Sequence, residues 1–191
     1  IDSLPKENTS DININKTVEN LSTFVSERLV FFLKDVVGLN VSVLNAMDLQ
    51  SFDLNLIKVV NKVKILDQYL RTKKGGALIQ IYRRISNILS TEEKKSKKYY
   101  SSSFTKELAL EKEEVELIKM LNNIKFPNNN NNYKIFLESI VDIKKPLDIF
   151  FDNLKINDEK DEIRLNRLKI LSYIREIFVH VADMSKIIKG K

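Results

Sequence analysis

The sequence predicts an all-α protein, a multi-helix bundle. Three observations carry this prediction. Apolar residues recur at spacings of three and four through most of the 191 residues, which lines one face of a helix. No segment alternates at the period of two that a half-buried strand shows. No Asn-Gly turn joins two strand-like runs.

The elements follow in chain order. Residues 1–16 are polar, contain Pro5 and have no periodicity, so an entry linker or frayed end is expected. Val18, Leu21, Val25, Leu29, Phe32 and Val36 then line one helix face, and Gly38 follows as a stop. A short segment over 41–47 leads to a second long helix carrying Leu56, Val60, Val63, Leu66 and Leu70, with Ser51 or Asp53 as its cap. Gly75-Gly76 punctuates. A third helix turns Leu78, Ile81, Ile85, Ile88 and Leu89 inward and places Gln80, Arg83, Arg84 and Asn87 on its opposite face. Residues 90–103 form a charged, serine-rich connection in which Lys94, Lys95, Lys97 and Lys98 precede Tyr99-Tyr100. That order resembles a basic patch beside stackable aromatics, but the expectation is a solvated loop.

A fourth helix carries Leu108, Val115, Ile118 and Leu121 inward, with Glu111, Glu113, Glu114 and Glu116 on its surface. Asn128–Asn132 is a low-complexity surface loop. The fifth helix starts near Tyr133, and Pro146 suits the first turn of a short sixth. Asn157 or Asp158 caps the last helix, which has Asp161 and Glu162 in its positive first turn. It is expected to run to about Ile187. Its broad apolar arc marks it as the central helix of the bundle.

Composition excludes much chemistry. The chain has no cysteine and no tryptophan, and its one histidine is His180. Disulfides, thiolate metal sites and cysteine nucleophiles are therefore absent, no metal site is expected, and a Ser-His-Asp system has one candidate base. His180 lies on a polar face and is given no catalytic role. No catalytic residue is assigned at all. The net charge of +6 comes mostly from lysine, in keeping with AT-rich codon usage, so the seven arginines are the more informative cations. No apolar run reaches the ~18–20 residues of a membrane span, and no leader is visible. A cytoplasmic location is expected, with no membrane partner. The chain opens on Ile1, which predicts a piece of a longer protein.

Arg164 and Arg175 lie within about 20° of each other on a helical wheel, flanking the apolar arc, so they can line one groove. Arg167 sits inside the arc, where a guanidinium must be paired. Asp148 or Asp152, on the preceding short helix, is the expected partner in a structural ion pair. Phe150-Phe151 is read as core.

Three stretches carry a family resemblance: Tyr82-Arg83-Arg84-Ile85-Ser86-Asn87-Ile88-Leu89, then Lys145 through Asp152 (KPLDIFFD), then Ile163 through Ser185 with its Arg164, Asn166, Arg167 and Arg175. In this order they resemble the C-terminal region of the bacterial glycyl-tRNA synthetase beta subunit, and residues 24–44 are similar to the helical segment before it. The last third is similar to the wider DALR class of anticodon-binding domains. The tetrapeptide stands here as Asp161-Glu162-Ile163-Arg164, with Glu for Ala and Ile for Leu. A second departure is Lys155-Ile156-Asn157, where the family has an apolar run.

The resemblance implies a helical segment over 17–72 and a DALR-type bundle over 73–191. It implies a tRNA-recognition module of a glycine–tRNA ligase, in which the alpha subunit uses ATP to form the adenylate and this piece binds no cofactor. The implied partners are the anticodon loop of tRNA-Gly and the catalytic alpha subunit, in a hetero-oligomer. The tRNA contacts expected are Arg83, Arg84, Asn87, Arg164 and Arg175. Glycine anticodons end in two cytosines, whose unstacked edges offer an amine at N4 and acceptors at O2 and N3. Carboxylates and guanidinium groups match those edges. The competing expectation is a helical subunit-assembly domain.

Overall fold

A computed structural model describes residues 14–47, 56–127 and 132–189. Their regular structure is helical, with no strand among the described residues. Residues 1–13 of the expected linker, the cap candidates Ser51 and Asp53, and residues 128–131 of the asparagine run lie outside the described residues. No helix among the described residues is long and apolar enough to cross a membrane.

Helix α1 (Ile14–Phe31) passes into a single π turn over Phe32–Val36, where the Val37 amide donates to the Phe32 carbonyl five residues back. The inward face runs through Leu29, Leu33 and Val37, one position on from the expected Phe32 and Val36. Leu33 is buried, while Phe32 and Val36 are exposed. Of the rest of the expected α1 face, Leu29 packs against the core and Val25 is half-buried, whereas Val18 and Leu21 face outward. Gly38 adopts a left-handed φ of 76° and ends this element. Asn40 then caps α2 (Val41–Ala46), its Oδ1 accepting from the Ser42 amide.

Helix α3 (Leu56–Leu70) buries Val63, Leu66 and Tyr69. Helix α4 (Lys73–Ser96) begins at its Thr72 cap, ahead of Gly75-Gly76, and continues well past residue 90. The expected connection over 90–103 is thus helical in its first half. Thr91-Glu92-Glu93-Lys94-Lys95 has good intrinsic helix propensity apart from the threonine. This helix packs on α3, α6, α8 and α9, and so shares the centre of the bundle with the helix expected to be central.

Helix α5 (Lys112–Asn122) turns Glu114, Leu117, Ile118 and Leu121 inward. Val115 is exposed, and Leu108 lies in a separate short turn. Helices α6 (Tyr133–Asp142) and α7 (Lys144–Asn153) follow, with Pro146 in the first turn of α7. Helix α8 (Asp161–Ile177) stops well short of the expected end near Ile187. Two tertiary hydrogen bonds capture its would-be continuation. Tyr133 Oη donates to the Val181 carbonyl at 2.8 Å, and the Asp183 amide donates to the Ala46 carbonyl at 2.8 Å. The chain then resumes as α9 (Met184–Lys189), packed on α2. The residue before α8 is Lys160, which makes no side-chain cap. Asp158 accepts from the Lys160 amide.

Candidate nucleic-acid interface

The extra length of α4 has a geometric consequence. Gln80, Arg83, Arg84, Asn87, Thr91, Lys94 and Lys95 are all exposed, and at 100° per residue they fall within a sector of about 120°. One polar, cationic stripe therefore runs over about four turns of a rigid helix. Arg83 and Lys94 make no ion pair among the described residues. Arg84 differs: its Nη1 lies 3.0 Å from Asp148 Oδ1, its Nη2 3.7 Å from Asp152 Oδ1, and its guanidinium stacks 4.1 Å above the Phe151 ring. Lys95 pairs with Glu92 at 3.0 Å.

Beside the stripe, α4 and the segment entering α8 border an open, shallow cleft of about 330 Å³, lined by Asn87, Ile88, Thr91, Glu92, Ile156 and Asn157. This is the low end of the range for small-molecule sites, roughly 300–1,000 Å³. Its two asparagine amides, threonine hydroxyl and carboxylate sit among two isoleucines. Thr91, Ile156 and Asn157 had no place among the expected contacts. The helical register of Asn87 and Thr91 was the available signal.

Arg164 and Arg175 do share a face, but that face meets the acidic side of α4. Arg164 Nη1 reaches Glu92 Oε2 at 3.1 Å. Arg175 makes a two-pronged pair with Glu93, at 3.1 and 2.8 Å, a geometry that favours arginine over lysine. The two pairs clasp α8 to α4. Arg175 also borders a larger cleft of about 1040 Å³ between α1–α3 and α9, with Lys62 and Asp183 on its wall.

Arg167 is buried and paired, but its partners are not the expected Asp148 and Asp152, whose carboxylates point to Arg84. Arg167 Nε donates to Glu114 Oε1 at 2.8 Å, and its Nη1 donates to Asp158 Oδ2 at 2.9 Å and to the Lys155 carbonyl at 2.7 Å. Glu114 Oε2 in turn accepts from the Glu111 amide at 3.0 Å. The α7 acids lie toward α4, whereas Arg167 faces α5. Phe150 is core and Phe151 half-buried. His180 is exposed, its ring edge-on to Phe126 at 5.1 Å.

Burial alone would raise the Glu92 carboxyl. Hydrogen bonds from Lys95, Arg164 and Asn157 outweigh it and hold the group below its ordinary range. A depressed folded pKa gives stability that is complete above the unfolded value and is lost as pH falls through the folded one. Urea midpoints of the wild type should therefore drop below about pH 4.5, and Glu92→Gln should show a shallower acid decline. Identical acid profiles would contradict the clasp's role.

The described residues form an all-helical bundle with a cationic stripe along α4 beside a small cleft of mixed polar and apolar lining, which places the chain among the helical-bundle domains. Within it, the DALR anticodon binding domain family matches residues 78–187, and the chain belongs to that family. It is homologous to the C-terminal part of glycine–tRNA ligase beta subunits. It is 28% identical over 172 residues to the subunit of Ruegeria sp. (strain TM1040), covering 88% of this chain and 25% of that one. With that of Rickettsia prowazekii (strain Madrid E) it shares 26% over 181 residues, 92% of this chain and 25% of the relative. With that of Buchnera aphidicola subsp. Acyrthosiphon pisum (strain Tuc7) it shares 34% over 139 residues, 69% and 19% of the two chains. The chain spans about a quarter of the length of the first two relatives.

Proposed function

We propose that this domain binds the anticodon arm of tRNA-Gly for a glycine–tRNA ligase, in the cytoplasm and alongside a catalytic alpha subunit that uses ATP, and makes no bonds itself. The family and its relatives support the ligand class. The observation that carries the reading is the unbroken α4 stripe, in which Arg83 and Lys94 are free of ion pairs among the described residues. Such cations contact phosphates, set the register of the RNA and make affinity fall with salt. The adjoining cleft supplies base readout. A carboxylate has about four lone-pair sites, and Lys95, Arg164 and Asn157 occupy three of those on Glu92. The remaining site can accept from cytosine N4, while the Asn87 and Asn157 amides can donate to O2 or N3. Arg84 and Asn87 stay among the contacts. Arg164 and Arg175 act here by holding α4 against α8.

The test is a titration of this chain with tRNA-Gly and with an anticodon-swapped tRNA at two salt concentrations. Swapping one cytosine should weaken binding by about 1–3 kcal/mol. Arg83→Ala should reduce the salt slope by about one, and Arg84→Ala by less, because two aspartates already neutralise it. An unchanged slope in Arg83→Ala would refute the phosphate role. Subunit assembly is a second reading for α1, favoured by its exposed Val18, Leu21, Phe24 and Phe31. Absence of salt-sensitive tRNA binding would leave that reading alone.

A further inference from the structure

The lysine-rich segment after α4 is held in place by side chains. Lys97 adopts a left-handed φ of 55° and turns the chain off the helix end. Ser96 Oγ accepts from the Lys98 amide at 3.3 Å and from Tyr100 Oη at 3.2 Å. Ser172 Oγ on α8 donates to the Tyr100 carbonyl at 2.7 Å. Further on, Asn166 grips Thr105 through both its carbonyl and its amide, at 2.8 and 3.0 Å. Phe104 packs edge-on to Tyr173 with ring centroids 5.5 Å apart.

The adjacent tyrosines are treated oppositely. Tyr100 packs against the core, whereas Tyr99 is 90% exposed. Nothing in the described fold uses the Tyr99 ring, yet its backbone is fixed on both sides. Lys97 and Lys98 precede it, both exposed and both without an ion pair among the described residues. Lys94 and Lys95 lead into the turn from the α4 stripe. An exposed aromatic ring on a tethered backbone, beside unpaired lysines, is the equipment of a single-strand contact: the ring stacks a base and the ammonium groups meet the neighbouring phosphates.

We propose that Lys97, Lys98 and Tyr99 form a second RNA contact, at the end of the α4 stripe, where one unpaired base stacks on Tyr99. This rests on the RNA-binding reading above but adds a site separate from the cleft. Stacking is indifferent to base identity, so this contact contributes affinity and orientation while the cleft supplies sequence preference.

The chain has no tryptophan, so Tyr99→Trp installs a single indole reporter. The probe is a fluorescein-labelled anticodon stem-loop of tRNA-Gly, followed by anisotropy. Indole emission of the Tyr99→Trp variant should quench with the same midpoint as the anisotropy change. Tyr99→Ala should bind roughly 5- to 100-fold more weakly with its salt slope unchanged. Replacing Lys97 and Lys98 with alanine should flatten that slope by up to about two. Wild-type binding, with unquenched indole emission and an undiminished Tyr99→Ala variant, would overturn this site alone. No binding by the wild type at low salt would overturn the functional reading together with it.

Discussion

Replacing Arg167 with methionine should lower the unfolding free energy by about 3–5 kcal/mol, the usual cost of stranding one charge of a buried pair. Glu114 has no solvent exposure, and its carboxylate would keep only the Glu111 amide. The Lys155 carbonyl and Asp158 would lose a donor at the same time. A double variant, Glu114→Leu with Arg167→Met, should recover most of the loss, because buried ion pairs are often neutral when swapped for apolar residues of similar volume. Denaturant titrations of the two single variants and the double variant measure the coupling. A loss in Arg167→Met below about 1 kcal/mol would class the pair with surface bridges. The consequence reaches the cleft, because Arg167 anchors the segment over 154–160 that carries Ile156 and Asn157. Weaker discrimination between tRNA-Gly and the anticodon-swapped tRNA should therefore accompany the lost stability.

This pair also shows where sequence periodicity informs and where it stops. A guanidinium within an apolar arc has to be paired, and that inference holds. Choosing its partner required the rotation of α5. Glu111, Glu113, Glu114 and Glu116 look alike as a solvated acidic run, and Val115 invites the wrong face inward. Yet Glu114, Leu117, Ile118 and Leu121 stand at i, i+3, i+4 and i+7, so the three apolar residues point back to the buried acid. Other differences were not legible locally. The end of α8 has neither Gly nor Pro; it is set by Tyr133 and by the carbonyl of Ala46, both distant in sequence. The outward face of α1 reflects which neighbours it meets, and hydrophobic spacing does not encode those. The α4 stripe was visible in its first two turns. Its continuation through Lys95 was obscured because a charged run fits a loop as readily as a helix face.

The glycine pair at the start of α4 should respond with opposite signs. A Cβ on Gly75 would stand 2.2 Å from the Tyr69 carbonyl oxygen and 2.5 Å from Leu70 Cα. Both are backbone atoms at the end of α3, so no side chain can rotate away. Gly75→Ala must push α3 and α4 apart, at a cost of about 3 kcal/mol, the upper end for overpacking. A Cβ on Gly76 meets nothing within 4 Å, and its amide already bonds to the Thr72 carbonyl at 3.1 Å. Gly76→Ala should therefore stabilise the chain by about 0.5–1 kcal/mol through helix propensity and lost freedom in the unfolded state. Thermal melts of the two variants settle the comparison, and equal shifts would mean that the helices do not touch at Gly75. The corner also aims α4. Gly75→Ala should tilt the helix that carries Arg83 and Asn87 relative to α8, straining the Arg164–Glu92 and Arg175–Glu93 pairs. Its tRNA affinity should drop even where the domain remains folded, while Gly76→Ala binds as the wild type does.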